Sequence, residues 1–155
     1  MKAHQRKLLI LLAVAFWMAI IFKLSAQQGE QSNLLSSKVT GVIVSLAQRF
    51  RPDVNLVSLN HFIRKCAHFL AYLVLGVVTL FVMRRIGLMG KQGVGFALLI
   101  CISYSITDEL HQAFVPGRTP KLTDVFIDSS GALLGIGLFR LFIEDRKKKI
   151  LLKRL

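Results

Sequence analysis

The sequence predicts an all-α membrane protein: a four-transmembrane-helix bundle with an amphipathic interfacial helix between spans 1 and 2. Three observations predict it. Four apolar runs each approach the roughly 20 residues that an α-helix needs to cross a bilayer core. The chain is 54% hydrophobic yet carries a formal net charge of +13. Its three prolines, Pro52, Pro116 and Pro120, all fall outside those runs or at their ends. A soluble nucleic-acid binder can share the charge, but it would not carry several long apolar segments. No nucleic-acid partner is therefore expected, and the excess of Lys and Arg reads first as a topology signal. With 155 residues, the chain makes one membrane domain over residues 1–155.

The first span covers residues 8–26. Lys2, Arg6 and Lys7 precede an uninterrupted apolar run from Leu8 to Phe22, which extends past a snorkelling Lys23 to Ala26. A basic start, a short apolar run and Leu24-Ser25-Ala26 also resemble a signal peptide. The bulky Leu24, the charged Lys23 and the spans that follow favour a retained helix. Residues 27–33 are polar and loop-like. Over residues 34–50, Leu35, Val39, Val42, Ile43 and Leu46 recur at helical spacing with polar residues between them, which is the pattern of a helix lying in a membrane interface. Arg51-Pro52-Asp53 ends it.

The second span covers residues 60–83. Arg64, His68 and Tyr72 lie four apart and Lys65 three before His68, so one helical face carries all four, while Leu70 to Met83 is nearly pure hydrocarbon. Arg84, Arg85 and Lys91 close the following turn. The third span covers 93–115 and brings Asp108, Glu109, His111 and Gln112 into its last turns. Pro116-Gly117 then fits the centre of a type II turn. Thr119-Pro120 fits an N-cap and first helical position for the fourth span, 120–143. That span opens with Asp124 and Asp128 one turn apart and continues the same side with Gly131 and Gly135, a bare stripe that a neighbouring helix can approach closely. Residues 144–155 form a basic tail. Cys66 and Cys101 sit in apolar runs without ligand-like spacing and read as small buried hydrophobes.

Four spans put both termini on one side. The N-terminus, the Arg84 to Lys91 turn and the tail hold more than half of the Lys and Arg residues, so the termini are expected in the cytoplasm of a multi-pass cell-membrane protein. Arg64, Lys65, His68, Tyr72, Asp108, Glu109, His111, Gln112, Arg118, Asp124 and Asp128 then gather at the outer leaflet. The stretch from Asp108 to Asp128 alone holds four of the eight carboxylates. Ionisable groups at a span end are costly, and by default they mark function.

Arg64-Lys65-x-x-His68-x-x-x-Tyr72, Asp108-Glu109-x-His111-Gln112-x-Phe114-x-Pro116-Gly117-Arg118 and Asp124-x-x-x-Asp128-x-x-Gly131 together resemble the VanZ-like family, and Ser25 fits its pattern too. The resemblance runs over essentially the whole chain. It implies Asn at the position of Asp128 in many members, so this chain carries an extra negative charge or a shared proton there. It also implies a role in the bacterial cell envelope, the namesake being associated with resistance to the glycopeptide teicoplanin. It implies no reaction.

Arg64, Lys65, Arg118 and Lys121 balance Asp108, Glu109, Asp124 and Asp128, and such a set can serve simply to pair internally and hold helices together. His68, Tyr72, His111 and Gln112 exceed what helix glue needs. Arg118 stands on a turn before a helix N-terminus, where an anion is favoured. The leading expectation is therefore a site binding an anionic lipid or a lipid-linked cell-wall precursor head group. Arg64, Lys65 and Arg118 would contact it, with Tyr72, Gln112, Asp124 and Asp128 completing the site. The alternative is a membrane-embedded hydrolase or transferase with Asp108 or Glu109 as base and His68 or His111 as acid, with His111, Asp124 and Asp128 around a metal. No diagnostic metal spacing supports it, and no cofactor is expected. A structural scaffold recruiting a partner through the basic tail and glycine stripe is the third reading.

Overall fold

A computed structural model of the chain describes residues 3–26 and 56–152. Four helices form it: α1 (Ala3–Ser25), α2 (Leu56–Arg85), α3 (Gly90–Gln112) and α4 (Leu122–Leu152). The described residues contain no strand. Each helix holds a segment long and apolar enough to cross a membrane: Leu8–Ser25, His61–Arg85, Gly90–Gln112 and Leu122–Ile143. The expected interfacial helix at 34–50 lies outside the described residues.

The surface of the bundle shows why water is the wrong solvent for it. Phe16, Leu99, Phe126 and Leu141 are among many large apolar side chains more than half exposed. Buried polar groups such as Ser25, Ser105, Asp108 and Asp128 lie inside. A helix of a soluble protein reverses that distribution. The chain is a multi-pass membrane protein.

The bundle is built around the α2–α4 pair, which shares the most extensive contact; α3 packs on both, and α1 leans mainly on α2. Because α2 and α4 are the second and fourth spans, they run parallel. Gly131 and Gly135 face the carbonyls of Phe69 and Leu73, and Gly76 faces that of Ala132. At each, a Cβ would collide with neighbouring backbone, so the small stripe read from the sequence allows two backbones to approach where any larger residue would separate them. Two small cores flank the seam: Tyr72, Leu75, Cys101, Ala132 and Ile21 on the polar side, and Leu80, Val82, Met83, Ala97 and Ile136 beyond it. Cys66 and Cys101 are free thiols.

Helix ends differ from the span limits read from the sequence: α2 begins at Leu56 and α3 at Gly90, ahead of 60 and 93, and α4 runs on to Leu152 through the expected tail. α3 stops at Gln112 instead of 115, where Ala113, Phe114 and Val115 donate to the carbonyls of Leu110, His111 and Gln112, tightening the chain out of the α-helix. α4 begins at Leu122, so Thr119 and Pro120 precede it and are not its cap and first residue. The Pro116-Gly117 turn is as expected. Gly117 has φ +77°, and the Arg118 amide donates to the Val115 carbonyl at 3.1 Å. That geometry fits a type II turn, whose third position takes glycine readily.

Candidate functional site

The hydrogen-bonding groups at the Ser25 end of the bundle come from all four helices and the α3–α4 turn. α3 contributes a buried stripe, Gly93, Ala97, Cys101, Ser105, Asp108 and Gln112, spaced three or four apart. Its polar half meets the ends of the other helices. Ser25, the last residue of α1 and fully buried, donates to Asp108 Oδ2 at 2.7 Å, and Gln112 Nε2 reaches the same oxygen at 3.5 Å. Ser105 Oγ donates to Asp128 Oδ2 at 3.5 Å. Asp128, one turn into α4 from Asp124, stands opposite His68, with Nδ1 3.8 Å from Oδ1, and Lys65 pairs with Asp124 at 2.8 Å.

The turn folds back over this cluster. Arg118 Nη1 donates to Gln112 Oε1 at 3.4 Å. The Lys121 amide, just ahead of α4, donates to the Glu109 carboxylate. Helix starts leave such N–H groups without an internal partner, and a carboxylate there also meets the positive end of the helix dipole. Glu109 is thus occupied as a cap from a neighbouring helix. Burial, with the like charge of Arg64 nearby, lowers the Arg118 guanidinium from its ordinary value; it remains a cation at neutral pH.

A cavity of about 120 Å³ opens between these elements. Arg64, Lys65, His68, Gln112, Arg118, Asp124 and Asp128 line it, together with His61 and Lys121. Drug-sized pockets run to roughly 300–1,000 Å³, so this one is sized for a head group and not for a whole lipid.

Three expected site residues stand apart. Tyr72 is fully buried one turn inward of His68, its ring centroid 6.1 Å from that of Tyr104 and its hydroxyl without a hydrogen-bond partner. Glu109 is the cap just described. His111 turns away: its ring centroid lies 4.4 Å from that of Phe22. Seven residues earlier on the same face, Tyr104 donates to the Met18 carbonyl at 2.5 Å. That face of α3 is turned to α1, not to the cavity. The expected metal set of His111, Asp124 and Asp128 therefore does not assemble. Among the described residues, His68, Asp108 and Asp128 do, with a donor atom from each within 4.8 Å of the others.

Sequence reasoning overlooked Ser25 as a partner of Asp108, Ser105 as a partner of Asp128, and His61, whose Nδ1 lies 3.3 Å from Arg64 Nη2. A helical-face signal was available for two of them. Ser105 is three before Asp108, and His61 is three before Arg64. Ser25 has no such periodic marker, because its partner is on another helix.

A search of curated proteins and of solved structures returns no match. A family model does match, and its span from residue 10 to residue 143 takes in the first apolar segment from Ile10 on, the other three whole, and every side chain of the polar cluster just described. By that match the chain belongs to the VanZ/LLP1 family.

Proposed function

We propose that the polar cavity binds the anionic head group of a membrane lipid or of a lipid-linked cell-wall precursor at the outer leaflet, with both termini in the cytoplasm. Through that binding the protein would alter susceptibility to teicoplanin-type glycopeptides. One observation carries the reading: Arg64, Lys65, Arg118 and Lys121 converge on a head-group-sized cavity at the ends of membrane spans. Mutual repulsion between Arg64 and Arg118 is relieved by an anion between them. Lys65 is neutralised by Asp124, which leaves the two arginines as the principal phosphate contacts.

Purified protein titrated with phosphatidylglycerol in detergent tests this. Arg118→Ala and Arg64→Ala are each expected to weaken binding about tenfold relative to the parent, since a charge-assisted contact contributes roughly 1.5–3 kcal/mol. Phosphatidylcholine is expected to bind weakly to all forms. Equal affinity for both lipids, or equal affinity of parent and Arg118→Ala, overturns the proposal. Loss of teicoplanin tolerance in cells carrying a well-expressed Arg118→Ala variant would extend it to the envelope.

A second reading, a hydrolase or transferase acting on a lipid-linked substrate, draws on a different observation. His68 and Asp128 stand side by side in the lining of the same cavity, within reach of whatever the arginines hold. A changed lipid species in cells expressing the parent but not His68→Gln would favour it.

A further inference from the structure

We propose that His68, Asp108 and Asp128 bind one divalent cation beside the polar cavity. It would belong to the class that accepts mixed carboxylate and imidazole ligands. Three observations converge on these side chains, and none of them depends on the head-group reading.

The first is geometry. One donor atom from each of the three residues lies within 4.8 Å of the other two. Carboxylate oxygens and imidazole nitrogens sit about 2.0–2.2 Å from a transition-metal ion, so two donors on one ion are at most roughly 4.4 Å apart. Three donors arranged around one ion stand roughly 3–3.6 Å apart, so closing the trio takes movement on the order of 1 Å, within reach of side-chain rotation. The three come from α2, α3 and α4, of which α2 and α4 close through the glycine seam and α3 packs on both, so the positions are held by helices and not by a loop.

The second is unsatisfied polarity. Asp108 is 1% exposed and Asp128 2% exposed, and the Oδ1 atom of each is buried with no hydrogen-bond partner among the described residues. Their Oδ2 atoms are held only by neutral donors in the contacts described: Ser25 and Gln112 on Asp108, Ser105 on Asp128. Buried carboxylate oxygens seldom go without partners, since leaving one so costs about 1–3 kcal/mol or more. Hydrogen bonds to the far oxygen of each acid are the arrangement that orients a metal-binding carboxylate and fixes its free oxygen.

The third is donor chemistry. Two carboxylates and one imidazole make a mixed oxygen and nitrogen set of the kind that holds a divalent ion. His68 Nδ1 is 3.8 Å from Asp128 Oδ1, too far for a hydrogen bond between them and close enough for both to reach a common ion. The buried Tyr72 side chain lies one turn along α2 from His68. On the other side, His68 and Asp128 reach the cavity lined by Arg64 and Arg118. An ion here would keep open positions towards that cavity. Where the head-group proposal also holds, an anionic oxygen would take one of them.

The test is manganese binding to the full chain, stripped with chelator and titrated in detergent. The spin-resonance signal of free Mn²⁺ reports uptake. One ion per chain is expected, with a rise in Tm of ~5 °C or more at a hundredfold excess over Kd. Asp108→Asn and Asp128→Asn are each expected to weaken binding at least tenfold. Arg118→Ala should bind Mn²⁺ as the parent does while binding phosphatidylglycerol about tenfold more weakly, so either proposal can fail without the other. No uptake of Mn²⁺, Zn²⁺ or Mg²⁺ by the parent overturns the cation site whatever the variants do. Uptake left unchanged by both Asp→Asn substitutions overturns it as well.

Discussion

The same two helices meet in two different ways along their length. Deep in the bundle, α2 and α4 touch backbone to backbone through Gly131, Gly135 and Gly76. Towards the mouth they meet through charges: Lys65 on Asp124 and His68 facing Asp128. These contacts form one register. Moving along α2 from Lys65 to His68, Phe69 and Leu73 is matched by moving along α4 from Asp124 to Asp128, Gly131 and Gly135. The glycine seam lets the helices close; the polar mouth is what that closure holds in place. Dispersion and close packing stabilise the first region. The second contributes little net stability, because pairing barely offsets the desolvation of its charges. The energetic division predicts which substitutions unfold the protein and which only silence it.

The largest effect is expected at the seam. Gly135→Leu would drive a side chain into the Leu73 carbonyl, and neither backbone can yield without opening the bundle. A loss on the order of 3 kcal/mol or more is expected, read as a collapse in Tm and in the amount of protein recovered from the membrane. Gly137, two residues on, has nothing within 4 Å of an added Cβ. Gly137→Ala should be neutral, or stabilising by up to about 1 kcal/mol from helix propensity. If the two variants behaved alike, the seam would not be what closes the pair.

The seam and the mouth were not equally legible. Spans could be read from hydropathy because a bilayer enforces length and composition. The stripe Asp124, Asp128, Gly131 and Gly135 could be read because four residues at helical spacing must share a face. Membership of the site could not be read the same way. His68 and His111 look alike in the sequence, each near a span end and close to ionisable residues. Only the rotation of α3, set by its stripe from Gly93 to Gln112, decides that His111 packs on Phe22 while Asp108 points inward. Glu109 looked like a base because nothing local reveals that the α4 start, twelve residues on, would need its carboxylate. Long-range partners such as Ser25 and Asp108, 83 residues apart, leave no periodic trace.

An intermediate effect is expected where α1 meets the polar cluster. Ser25 is fully buried and its hydroxyl donates to Asp108 at 2.7 Å. Ser25→Ala removes the closest donor to that acid without altering packing much. A loss of about 1–3 kcal/mol is expected, as for other buried acceptors deprived of a donor. Ser25→Thr should restore part of it if the extra methyl is accommodated. Thermal unfolding in detergent reads both. A Ser25→Ala protein as stable as the parent would mean that Asp108 is satisfied from elsewhere, and the division between seam and mouth would be sharper than drawn.

The smallest effect is expected at Lys65 and Asp124. Their side chains are each 27% exposed, so solvent screens a pair that is short, at 2.8 Å, but not sealed. A double-mutant cycle with Lys65→Met and Asp124→Asn should give a coupling energy of about 0.2–1 kcal/mol, falling as salt is added. Each single variant should still reach the membrane in normal amount. Head-group binding should respond differently, because freeing Lys65 from Asp124 returns a positive charge to the cavity. Asp124→Asn is therefore expected to bind phosphatidylglycerol no more weakly than the parent, and Lys65→Met somewhat more weakly. A coupling near 3 kcal/mol would instead make the ion pair a clamp on the parallel register. The mouth would then be holding the seam, the reverse of the dependence argued from the glycines.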